Sequence, residues 1–233
     1  MLPNKHFNGN DTNPDHWLGL VDGIYAICIT IMSLELPSYI ANLENIHSLV
    51  GLRGMFVIAT MDGLAYACLF FVMYELWAYH RAVVKTVSLN KRWQNLANVT
   101  ILLLTTVFPA FLLERIKYRT EMTLNLVEKS GGNLMKMKEF LLHHESGYFT
   151  IIFIVFICFF LIGRLMAASK SDIDPKLYAE ITHLIHQKSV SFFLIAVLSL
   201  IVSVYSLTAF VFLTNLLLFV YVAEGFWDKR PSG

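Results

Sequence analysis

The stretch Leu18 to Pro37, LGLVDGIYAICITIMSLELP, is apolar enough to cross a bilayer, yet it carries Asp22 near one end, Thr30 in the middle and Glu35 near the other. An anchor needs none of them. An ionised carboxylate at bilayer depth costs about 3 kcal/mol unless it is paired or hydrated, so such acids face protein or water. Set out at about 100° per residue, Ile27, Ile31 and Leu34 share one face with Thr30 at its flank, and Asp22 points to roughly the opposite side. Two readings fit that stripe. It is the ordinary lipid-facing or packing surface of a membrane helix, or, because a hydroxyl lies within it, a dewetting constriction combined with weak ion coordination.

Asp22 needs a partner at its own depth. A later apolar stretch ends in Trp77-Ala78-Tyr79-His80-Arg81, where either His80 or Arg81 can neutralise it, and Asn95 and Asn98 open the next stretch on the same side. These groups read as a structural clamp between helices or as participants in ion transfer. Glu35 either snorkels to the interface or concentrates cations at a pore mouth. Asp62 and Glu75 gain no partner from the sequence. The histidine pairs, His143-His144 and His183 with His186, read as solvated surface, because adjacent side chains diverge on a helix and no Cys, Asp or Glu completes a close set. No metal site is expected, and no G-x-S-x-G, H-E-x-x-H or phosphate-binding glycine loop occurs. The TVGYG filter of the usual tetrameric potassium channels is also absent.

The elements that must position these residues follow from composition. Of 233 residues, 56% are hydrophobic and 15% charged, and the mean hydropathy is +0.58. A soluble domain needs more surface charge than that, so the class is a polytopic, all-helical membrane protein. The net charge of +1 and the lack of a basic block exclude a nucleic-acid partner. Cys28, Cys68 and Cys158 all fall in apolar stretches and read as small buried hydrophobes. Six spans of roughly 20 residues can be drawn, at about 17–37, 55–79, 95–114, 147–168, 189–206 and 208–227, with Pro37 closing the first. The polar N-terminus shows no cleavable signal. Arg81, Lys85, Lys91 and Arg92 have no acid among them between His80 and Arg92, which puts that connection and both termini in the cytoplasm, whereas Arg115, Lys117 and Arg119 beyond the third span argue the other way. After Gly131-Gly132, the apolar spacing of Leu134, Met137, Phe140 and Leu141 predicts a helix on the membrane surface or against the bundle. No linker or repeat divides the chain, which is read as one domain, 1–233.

Taken together these residues resemble the transmembrane protein 175 family of potassium channels in its single-copy prokaryotic form. That family's first helix carries R-x-x-x-F-S-D, then small and apolar residues, a threonine and L-E-L. The matching positions here are His16, Leu20, Val21 and Asp22, then Gly23 to Ile27, Thr30 and Leu34-Glu35-Leu36. Trp77, His80 and Arg81 match the end of its second helix, and Asn95, Asn98 and Phe108-Pro109 its third. The tail of the first motif agrees; its head departs at His16, Leu20 and Val21, which removes a fixed charge and a hydroxyl and makes the local wiring sensitive to pH through His16.

The resemblance implies a homotetramer with six helices per subunit and four first helices around a central pore. Ile27, Ile31 and Leu34 would form the gate with Thr30 close to the ion, and Glu35 would stand at the mouth. His16, Asp22, Trp77, His80, Arg81 and Asn98 would make the polar network that holds the pore helix. The expectation is therefore a passive leak channel in a prokaryotic inner membrane, with potassium as permeant ion, no cofactor and no enzymatic step. Its rivals are a proton-conducting pore, a membrane enzyme and a membrane scaffold without transport.

Overall fold

Among the described residues, five helices run in order: α1 Pro14–Leu34, α2 Leu36–Thr86, α3 Arg92–Lys129, α4 Leu134–Ala168 and α5 Pro175–Tyr205. The structure, a computed structural model, describes residues 14–87, 89, 91–129, 134–169, 173–205 and 220, with side chains described chiefly outside 42–65 and 112–150. Among the described residues, four segments are long and apolar enough to cross a membrane: His16–Ala41, Arg92–Phe111, Ile151–Ala168 and Pro175–Leu198. They correspond to the first, third, fourth and fifth expected spans. The expected span at 55–79 lies within α2, and that at 208–227 lies outside the described residues apart from Val220.

Pro37 does not close the first span. Glu35 alone separates α1 from α2, its backbone stays helical at φ −82° and ψ −14°, and the Tyr39 N–H donates to its carbonyl at 3.0 Å. Pro37 instead sits in the first turn of α2, where its missing N–H has no helical partner to lose. With 51 residues α2 is far longer than one crossing. A straight helix would put Trp77 about 61 Å from Leu36, whereas Asp22 lies only about 18 Å back along α1 from Leu34. Trp77 nevertheless hydrogen-bonds Asp22 at 2.8 Å. The path of α2 must bend strongly back along α1.

The interval 114–146 is not a loop carrying a separate surface helix. α3 continues for 38 residues to Lys129, and α4 runs without a break for 35 residues from Leu134. Residues 114–129 contain no Gly or Pro and are rich in Glu, Lys, Arg, Leu and Met, which favour helix whether or not they are apolar. Gly131 and Gly132 lie outside the described residues. α5 likewise begins well before position 189. Pro175 occupies its first turn and Asp174 caps it, with Oδ1 accepting from the Lys176 N–H at 2.7 Å.

The core lies where α1 meets α2 and α3, and where α4 meets α3 and α5. Val21, Tyr25, Cys28 and Met32 form the buried side of α1 and join Val72, Met73 and Leu76 of α2 and Ile101 and Phe108 of α3 in one cluster. Phe159 of α4 stacks on Phe192 of α5 with ring centroids 5.7 Å apart. Beside it the two helices come close: a Cβ on Gly163 would stand 3.3 Å from Ile185 Cγ2.

Candidate functional site

α1 divides sharply into two sides. Val21, Tyr25, Cys28 and Met32 are buried, while Ile27 and Leu34 are 60% and 67% exposed, and Thr30 and Ile31 are exposed with them. Gly19, Gly23 and Ala26 continue the exposed side toward the helix start. Apart from the helix's own neighbouring backbone, no atom of the described residues comes within 4 Å of a Cβ placed on either glycine. The Thr30 hydroxyl donates to the Ala26 carbonyl at 2.7 Å, so its proton is used inside the helix and its oxygen keeps acceptor capacity toward the open side.

Behind this face, two polar groups tie α1 to its neighbours. In the first, Asp22 accepts from the Trp77 indole at 2.8 Å and from Arg81 Nε at 3.2 Å. The guanidinium also lies 5.8 Å from the Trp77 ring centroid, within cation–π range. Both charged side chains remain close to half exposed. In the second group, His80 and Asn98 are fully buried, and His80 Nε2 lies 2.6 Å from Asn98 Oδ1. The amide oxygen can only accept, so Nε2 carries the proton. Nδ1 then accepts from the Tyr25 hydroxyl at 3.4 Å, and the two rings meet edge to face. His80 therefore serves Tyr25 and Asn98, and Arg81 is the residue that pairs with Asp22. Asn98 Nδ2 and Asn95 Oδ1 are buried without a hydrogen-bond partner among the described residues.

A third tie comes from a residue that reads as plain packing in the sequence. Pro109 inside α3 has no N–H to give the Thr105 carbonyl one turn earlier. The Cys28 thiol approaches that carbonyl at 3.7 Å and donates to it, so α1 satisfies a backbone acceptor that the proline leaves free. Glu75 also has a partner that sequence spacing could not reveal. Lys188, in α5, reaches its Oε1 at 3.1 Å, and both side chains are mostly buried.

Of the residues that the sequence marks as candidates, Asp22, Trp77 and Arg81 come together, as do His80 and Asn98, joined by Tyr25. His16 is exposed and forms no hydrogen bond or ion pair among the described residues, so it stands apart from both groups. Glu35 is the turn between α1 and α2. His183 and His186 are exposed, and among the described residues no group of His, Cys, Asp and Glu is arranged to hold a metal ion. The side chains of Asp62, His143 and His144 lie outside the described residues.

Comparison with known families finds a similarity, and it falls on this part of the chain. Residues 17–109 match the family of the endosomal/lysosomal potassium channel TMEM175. No curated protein and no solved structure matches the chain. The TMEM175 match begins at Trp17 in the first turn of α1 and ends at Pro109, so it contains the open face of α1 and both polar groups behind it. α4 and α5 lie beyond it. With its long apolar helices, the match makes this an integral membrane protein.

Proposed function

We propose that the chain is one subunit of a potassium-permeable cation channel, a homotetramer of six-helix subunits conducting passively around a central axis lined by four copies of α1. The observation that carries this reading is the open side of α1. In a segment matching a potassium channel family, Ile27, Thr30, Ile31 and Leu34 are left uncovered by their own subunit while the opposite side is bonded to α2 and α3. A ring of such helices must close on itself, which a cyclic homotetramer does.

In that ring Ile27, Ile31 and Leu34 narrow the path enough to exclude water, and a small rotation or widening admits it together with the ion. Thr30 offers its hydroxyl oxygen at the level between them, and Glu35 draws cations to the mouth. Asp22, Trp77, Arg81, His80 and Asn98 hold the helix from behind, and His16 stands at its entrance. Conduction makes and breaks no covalent bond and needs no cofactor. In a prokaryotic inner membrane, with both termini cytoplasmic, the basic connection after α2 is on the inside as the distribution of Lys and Arg requires.

The test is potassium flux from liposomes holding the purified protein, with its mass measured in detergent. A tetramer is expected to leak potassium, and Ile27→Asn or Ile31→Asn to raise the leak at least tenfold by keeping the constriction wet. An inert tetramer, or flux indifferent to both substitutions, would overturn the reading. Flux that follows a pH gradient and ignores potassium would favour a proton pore; a silent monomer would favour a scaffold.

A further inference from the structure

We infer that the end of the bundle where α2 stops and α3 starts binds an anionic phospholipid, its headgroup held by Lys85, Lys91 and Arg92 and its acyl chain laid along α3. Lys85 lies in the last turn of α2, and Lys91 and Arg92 stand at the start of α3, whose first turn has no acid. All three are exposed, and none forms a side-chain hydrogen bond or ion pair among the described residues. Three carboxylates on the packed helices are engaged elsewhere, Asp22 with Trp77 and Arg81, Glu75 with Lys188, and Asp174 on the first turn of α5, while Glu180 is exposed near the start of α5.

The backbone carrying these cations is held in place. Val87 and Leu89 of the connection are buried. The Gln94 side chain accepts the Lys91 N–H at 2.9 Å and donates to Ser169 Oγ at 3.4 Å, fixing the start of α3 against the end of α4. Lys91 and Arg92 are thus presented from a helix start that is anchored to the end of α4.

What favours a lipid over a soluble anion is the surface immediately below. Arg92 opens a candidate membrane span, so the cations sit where headgroup phosphates lie. Trp93, Leu96 and Leu103 are all exposed, at a spacing that keeps them near one side of α3. From Trp93 to Leu103 is about 15 Å, the hydrocarbon thickness of one leaflet. An indole at the boundary with an apolar stripe beneath it matches a headgroup above an acyl chain. Zwitterionic lipid fits the stripe equally well, so the cations supply the preference for negative charge.

The full-length protein is exchanged into detergent with equal amounts of phosphatidylglycerol and phosphatidylcholine of the same chains, and the lipid retained is counted by native mass spectrometry. Wild type is expected to keep phosphatidylglycerol at least tenfold over phosphatidylcholine, and the preference to fall about fivefold for each of Lys85→Gln, Lys91→Gln and Arg92→Gln. Lys176→Gln, on the first turn of α5, should leave it unchanged. Trp93→Ala should lower retention of both lipids and spare the preference. If the neutralised variants do not fold, Lys91→Arg with wild type at rising salt carries the test: retention persists in the former and declines in the latter. Equal retention of the two lipids by wild type, equal loss with Lys176→Gln, or displacement by millimolar inorganic phosphate alone would overturn the proposal. The readout is lipid and not flux, so its failure leaves the channel reading untouched.

Discussion

The two polar groups behind α1 solve one problem, holding a helix that carries polar residues, under opposite conditions. Asp22, Trp77 and Arg81 use charge, and both ions stay near half exposed. Tyr25, His80 and Asn98 use neutral hydrogen bonds in a place closed to solvent. Where water still reaches, an ion pair is screened and adds little, and losing a partner is partly made good by hydration. Where it does not, each bond contributes more, because its absence leaves a bare donor or acceptor. Attachment of α1 should therefore depend more on the uncharged group than on the formal charges. The Glu75–Lys188 pair extends the contrast, since it places charge in the more sheltered setting.

Substitutions that remove one partner at a time test that ordering by thermal or denaturant unfolding in detergent. Lys188→Ala should have the largest effect, near the lower end of the 3–5 kcal/mol seen when a buried ion pair loses one member, because Glu75 keeps its carboxylate in a mostly buried site. Glu75→Gln in that background should recover part of the loss. Asn98→Ala comes next, about 1–3 kcal/mol, as His80 Nε2–H loses its acceptor at 2.6 Å. Asp22→Asn, which keeps an acceptor for Trp77 and removes only the charge, should cost no more than about 1 kcal/mol and become smaller still in high salt. Ile27→Asn, on the open side, should change stability least of all, within about 0.5 kcal/mol. If Asp22→Asn proved more damaging than Asn98→Ala, the exposed ionic group would be the main tether and the comparison would be reversed.

Much of this was visible in the residues themselves. Asp22 demanded a partner because an acid in an apolar run is expensive, and the aromatic and basic end of α2 was the evident place to look for one. Choosing between His80 and Arg81 was beyond the sequence, since they are neighbours and only helix rotation decides which turns toward Asp22. Tyr25 could not be told from any other apolar-stretch aromatic, nor Cys28 from a packing residue, although Pro109 one turn beyond Thr105 signals a carbonyl in need of a donor. Glu75 and Lys188 are 113 residues apart, and no local pattern links them. Hydropathy misplaces helix ends wherever polar sequence is helical, as in the extension of α3 to Lys129 and the early start of α5.

The sequence by itself determined that the chain lives in a bilayer, that α1 carries an apolar stripe with Thr30 at its edge, and that Asp22 points away from it. Those properties follow from hydropathy and a period of about 3.6 residues, both local. Only the tertiary structure decided which side of α1 the rest of the chain covers, because burial depends on neighbours brought back from far along the chain. It also decided that α2 bends to return Trp77 to Asp22, that His80 serves Tyr25 and Asn98, and that a thiol on α1 occupies the carbonyl freed by Pro109. Each is a pairing across helices, set by packing distance and rotation, which no periodicity within one helix encodes.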